Sequence, residues 1–167
     1  MLHIEQLDGY IADEQFDSLR CDYIDVPWFD AGKRRQLLRS ELGEELEINL
    51  KVGSFLRAGA VLAADRQRAI VVRRALARAV RVSFAADADD CLLLREVAVL
   101  AHSFGNQHTP IQFYGGDLVA PILTSDAVVA ESINNLNLTA VELAFLDFRL
   151  FEHAPPGNRI ASEGSTA

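Results

Sequence analysis

The chain has 167 residues, half of them hydrophobic, with 24 acidic residues against 16 basic ones and a formal charge of −8. That supports one compact domain or two small ones and argues against general disorder. The acidic balance disfavours nucleic acid as a partner, because phosphate binding calls for a basic excess.

The chain begins Met1-Leu2-His3-Ile4-Glu5-Gln6, with neither a basic n-region nor an apolar h-region. No secretory signal is expected. Apolar runs such as Val97 to Ala101 are too short to span a bilayer, so no membrane partner is expected. Cys21 and Cys91 are far apart and form no C-x-x-C. The expectation is a pair of reduced thiols in a cytoplasmic protein.

The first half reads as β-structure. Tyr23-Ile24-Asp25-Val26 suggests a strand that Pro27 limits. Gly32-Lys33-Arg34-Arg35-Gln36 is a basic patch beside a turn, expected as a solvated loop or an edge strand. Leu46, Ile48, Leu50 and Val52 alternate with Glu47, Asn49 and Lys51, the period of a strand with one buried face. Gly53 and Gly59 mark turns, and Val61-Leu62 and Ile70-Val71-Val72 read as short strands. The basic stretch Arg73 to Arg78 reads as a helical turn or connector, with a domain boundary near Arg74.

The second half has a clearer rhythm. Val80, Val82 and Phe84 alternate as a strand. Asp87, Asp89 and Asp90 then suit a helix start. Leu93, Val97, Leu100 and Phe104 recur at helical spacing as a buried stripe, and Gly105 is the expected C′ residue. Ile111 and Phe113 suggest a second strand, Gly115-Gly116 a turn, and Leu118 and Ala120 a third strand. Thr124 or Ser125 is expected to cap a second helix with Val129, Ile133 and Leu136 on its apolar side. Val141, Leu143 and Phe145 make a fourth strand. The order β-α-β-β-α-β is the ferredoxin-like plan. The expected fold class is thus α+β: an N-terminal all-β domain over residues 1–74, a ferredoxin-like domain over 75–150, and a flexible tail over 151–167.

Candidate chemistry centres on Gly105-Asn106-Gln107-His108-Thr109-Pro110. Pro110 turns Thr109 towards extended geometry, so His108 falls on a short constrained turn between helix and strand. A neutral imidazole presented there can bind nickel, zinc, copper or iron. The alternative is an ordinary hydrogen-bonded loop histidine. His102 lies off the buried stripe and is expected to be exposed. His153, in the tail, is either an arm able to reach a metal or a solvated residue. His3 lies in the other half with no evident partner. One ligand is too few for a metal, but a two-fold axis beside His108 would supply a second from another copy.

Leu100 to Gln112 resembles the signature of the UreE family, urease accessory proteins that act as nickel metallochaperones. That signature is an apolar helix end, then Gly-Asn-Arg-His, a variable residue, Pro, an aliphatic residue and often Gln. The likeness extends upstream through Leu46 to Leu50, Gly53, Leu56, Gly59 to Leu62 and Ile70 to Val72. Downstream it reaches Leu118 and Val129 to Ile133, so it covers most of residues 20–147.

The resemblance implies a first domain like chaperone peptide-binding domains and a ferredoxin-like domain that forms a homodimer. It implies that His108 meets its copy across the dimer and binds a nickel ion, with zinc or copper able to enter in vitro. It further implies delivery to the urease apoprotein complex through the accessory GTPase UreG, with tail histidines such as His153 adding ligands.

Three departures bear on capacity. Gln107 stands where the family usually has Arg, the long His-rich tail is missing, and Val119 to Thr124 holds no histidine. High-capacity storage is therefore not expected. The alternative function is a metal-independent protein-interaction module that has lost nickel delivery. No G-x-S-x-G, P-loop or H-E-x-x-H is present, so no catalytic residues and no enzyme are expected.

Overall fold

A computed structural model describes residues 1–152. The fold is α+β, with three sheets and two α-helices. The chain divides into two compact units. Leu76–Leu150 is the second, and Met1–Ala75 with the described residues after Leu150 is the first.

The first unit contains β1 (Leu2–Ile4), β2 (Gly9–Tyr10), β3 (Arg20–Val26), β4 (Arg35–Arg39), β5 (Glu45–Asn49), β6 (Ala60–Ala64) and β7 (Arg68–Arg74). They form a three-stranded sheet ordered β1-β5-β4 and a four-stranded sheet ordered β2-β6-β7-β3. Both are mixed: β1 runs parallel to β5 and β3 parallel to β7, while the other neighbours are antiparallel. Ile4, Leu46 and Ile48 from the first sheet pack with Ile24, Val26, Leu62, Ile70 and Val72 from the second. Each such side chain taken out of water contributes about 1.5–3 kcal/mol. Phe16, Val61, Ala69 and Val71 form a smaller cluster on the other face of the four-stranded sheet. β6 and β7 are therefore covered on both faces, which explains why they read as unbroken apolar runs.

Two expectations for this half change. The alternation that begins at Leu46 stops at Leu50, and Val52 is exposed in the turn before Gly53, whose φ is 85°. The stretch Arg73 to Arg78 is neither helical turn nor connector: β7 runs to Arg74 and the next strand starts at Leu76. The side chain of Arg74 is fully buried. Its Nε donates to the carbonyl of Phe151 (2.9 Å), and the guanidinium also donates to the carbonyl of Leu56. Burial draws its pKa down to about 10, so the charge survives at neutral pH. Phe151, the first residue of the expected tail, is buried in this unit and stacks edge-on to Trp28.

The second unit runs β8 (Leu76–Phe84), α1 (Asp90–Asn106), β9 (Gln112–Tyr114), β10 (Asp117–Pro121), α2 (Asp126–Asn134) and β11 (Val141–Arg149). Its antiparallel sheet is ordered β11-β8-β10-β9. The β-α-β-β-α-β order and this strand order are those of a ferredoxin-like plan. Val80, Val82, Leu118 and Ala120 pack against Leu100 and Phe104 of α1 and Ile133 of α2. Asp89 caps α1, its carboxylate accepting from the N–H groups of Cys91 (2.9 Å) and Leu92 (3.1 Å). Ser125, rather than Thr124, caps α2 through the N–H of Val128 (3.3 Å).

One buried group of α1 breaks the apolar stripe. Glu96 is 4% exposed. Its carboxylate accepts from the N–H (2.7 Å) and hydroxyl (2.9 Å) of Thr139 and from the N–H of Ala140 (2.9 Å). These bonds, the Thr139 N–H foremost, hold its pKa below the usual glutamate value. They also tie α1 to the start of β11.

Candidate metal site

The end of α1 differs in register from the expectation. Gly105 is not the C′ residue; it lies inside the last helical turn, and a side chain there would meet open space. Gln107 is the C-cap, with φ −87° and ψ 4°. His108 takes the C′ position in left-handed backbone, with φ 53°. Its N–H donates to the carbonyl of Gly105 (3.0 Å), and the N–H of Thr109 donates to the carbonyl of Phe104 (2.9 Å). Those two bonds define a Schellman cap, which helices usually close with glycine.

The packing explains the register. Phe104 is buried in the core of the unit and fixes the carbonyl that Thr109 must reach. Pro110 follows two residues after His108 and prevents the helix from resuming. The histidine is left at the surface, exposed. A non-glycine residue at positive φ is uncommon, and it costs about 1–2 kcal/mol relative to ordinary helical backbone.

The side chains of the neighbouring amides bond to groups other than the His108 ring. Asn106 contacts His102 Nε2 at 3.0 Å. An amide NH₂ only donates, so this contact occupies the lone pair of Nε2. His102 is exposed, as its place off the buried stripe implied. Gln107 Nε2 donates to Ser132 Oγ of α2 at 3.2 Å, so this side chain ties the two helices together. The spacing of four between His102 and Asn106 was the available signal for the first pair; the second is non-local.

A hollow of about 410 Å³ lies along α1, lined by Ala98, Val99, His102, Ser103, Asn106 and Leu136. His108 is not part of that lining. Among the described residues, no group of three or more His, Cys, Asp or Glu stands close enough to hold a metal ion. His153 lies outside the described residues. His3 belongs to the first unit, where its Nδ1 meets Glu47 Oε2 at 2.8 Å, a partner fixed by the β1–β5 register. The chemistry on offer at the cap is the exposed imidazole of His108 on a hydrogen-bonded turn, a donor that suits nickel, zinc or copper.

The solvent face of α1 leads to this cap. Leu94, Ala98, His102 and Gly105 recur at spacings of four, four and three, and all are exposed, Leu94 by 74%. Among the described residues, no helix is long and apolar enough to cross a membrane.

Comparison with known proteins bears on both units. Residues 4–75 match the profile of the UreE urease accessory protein, N-terminal domain. A urease accessory protein UreE from Actinomyces naeslundii is 33% identical over 121 residues, covering 67% of each chain. That of Flavobacterium johnsoniae is 28% identical over 119 residues, covering 71% of this chain and 68% of its own. That of Micrococcus luteus is 40% identical over 92 residues, covering about half of each. With the β-rich first unit matched to a family domain and a relative aligned across two thirds of both chains, the protein belongs to the UreE family of urease accessory proteins.

Proposed function

We propose that this protein serves urease maturation by carrying nickel, which it binds between the His108 side chains of two copies and then releases. Nickel is cargo in this scheme. Metal–ligand bonds form and break but no substrate is chemically converted, so the protein is not an enzyme in this scheme. The receiver would be the urease apoprotein complex, reached through the accessory GTPase UreG in the cytoplasm.

The carrying observation is the backbone of His108. A left-handed cap favours glycine, yet an exposed imidazole occupies it with φ 53°. Strain retained at one exposed histidine points to a use for the ring. The exposed stripe from Leu94 to Gly105 beside it offers a surface for a second copy, and a two-fold axis near its Gly105 end would bring two rings together. Few protein ligands leave nickel with exchangeable positions, which suits transfer better than storage. His153 would complete the shell from outside the described residues. His102, held by Asn106, would contribute less.

Nickel titration by calorimetry tests the assignment. The expected result is one nickel per two chains, with binding lost in His108→Ala. Equal binding by His108→Ala and the unaltered protein would remove His108 from the site.

A further inference from the structure

β4 ends its sheet, so only one of its sides is paired among the described residues. Gln36 lies opposite Ile48 and Leu38 opposite Leu46. Leu50 N donates to Arg34 O and Ser40 N donates to Glu44 O, each at 2.9 Å. Antiparallel ladders alternate bonded and non-bonded pairs. Arg34, Gln36, Leu38 and Ser40 therefore turn their backbone groups to β5. Arg35, Leu37 and Arg39 turn theirs to the open side.

The same three residues carry exposed side chains. They form a row of basic, apolar and basic groups, with Leu37 75% exposed. A groove of about 450 Å³ runs beside them, lined by Arg35, Gln36, Leu37, Glu47, Ile48 and Asn49. The outer side of β3 is different: there Glu41 N already donates to Tyr23 O at 2.8 Å.

Charge alternates across this face. His3 of β1 meets Glu47 of β5, and Glu45 of β5 meets Arg39 of β4 at 2.5 Å. Among the described residues, Arg35 Nε meets a neutral side chain, Asn49 Oδ1, at 3.2 Å. Arg34 adds a further exposed basic group just before the strand, whereas Lys33 is paired with Asp30 at 2.6 Å. The row that would follow β4 in this alternation is acidic.

Basic residues on an edge strand also deter unwanted pairing. An exposed leucine between them has the opposite effect, because it rewards a covering strand. Pairing with a second copy in the antiparallel register centred on Leu37 is disfavoured, because it would set each Arg35 against an Arg39, and like charges directly opposite destabilise.

We propose that β4 is a docking edge for an extended acidic segment of another protein, with an acid, any residue, an aliphatic residue, any residue and an acid in sequence. The segment adds as a strand. Its backbone meets the open groups of Arg35, Leu37 and Arg39, its aliphatic residue covers Leu37, and its acids face the two arginines. The site is independent of the nickel reading and stands without it.

The test titrates the full-length ¹⁵N-labelled protein with the peptide Ser-Glu-Thr-Leu-Thr-Glu-Ser and with its lysine counterpart Ser-Lys-Thr-Leu-Thr-Lys-Ser. The expected result is amide shifts at Arg35, Leu37 and Arg39, with the lysine peptide roughly tenfold weaker. Binding of the acidic peptide should weaken as salt is raised. Arg35→Glu should abolish the preference between peptides while keeping a dispersed spectrum, and Leu37→Thr should weaken the acidic peptide. Equal binding of the two peptides, shifts confined to other strands, or no shifts at millimolar peptide would overturn the proposal.

Discussion

His108 donates its backbone N–H to the carbonyl of Gly105 at 3.0 Å while its own φ stands at 53°. Glycine in that position carries no steric penalty, whereas histidine and alanine both do. His108→Gly is therefore expected to hold or raise stability, and to exceed His108→Ala by roughly 1 kcal/mol. Both variants should lose nickel. Urea unfolding alongside nickel titration checks this. A glycine variant less stable than the alanine variant would mean that the left-handed backbone at residue 108 does not carry the expected penalty.

A metal shared between two copies links occupancy to pairing. Nickel is expected to raise the melting temperature, and Leu94→Glu, which charges the exposed stripe of α1, to favour monomers and weaken nickel binding. Metal binding requires deprotonated ligands, so the nickel-dependent rise should shrink as the solution is acidified. Sedimentation and thermal melts with and without nickel measure both effects. Melting that ignores nickel at neutral pH would contradict the scheme.

His102 is engaged by Asn106 through Nε2 at 3.0 Å. His102→Gln is expected to change nickel affinity by no more than about 10–100-fold, the scale of a supporting group rather than an essential ligand. Asn106→Ala should free Nε2 and leave the stoichiometry unchanged. If His102→Gln removed binding as completely as His108→Ala, His102 would be a ligand of equal rank.

Much of the architecture was legible because its signals are local. Alternation pointed to β5, helical spacing to α1, and the acids Asp87, Asp89 and Asp90 and the pair Thr124-Ser125 to the helix starts, without choosing Asp89 and Ser125 as the caps. The register of the α1 cap was not legible. Composition suggested Gly105 at C′, but the bond from Thr109 to Phe104 sets C′ three residues later, and Phe104 is placed by tertiary packing. The same limit applies to Arg74, whose carbonyl partners are on Leu56 and Phe151, and to the His3–Glu47 pair. Their partners are brought close only by strand pairing and the return of the chain. At the candidate site, the histidine was legible and its backbone strain was not.

Glu96 illustrates how such a non-local contact should respond to pH. The bonds from Thr139 and Ala140 favour the ionised carboxylate, so its folded-state pKa lies below the unfolded value. A group depressed in this sense adds stability above its unfolded pKa and loses it as pH falls through the folded one. Glu96→Gln keeps one carbonyl acceptor but no charge, and turns an NH₂ group towards donors that already face the site. The unaltered protein should therefore be clearly more stable than Glu96→Gln near neutral pH, with the gap narrowing below about pH 4. Thr139→Val removes the hydroxyl bond while keeping the backbone one, so its loss should be smaller. Urea midpoints for the three proteins across that range decide the matter. A gap between Glu96 and Gln that stays constant into acid would show that shape, rather than charge, holds α1 to β11.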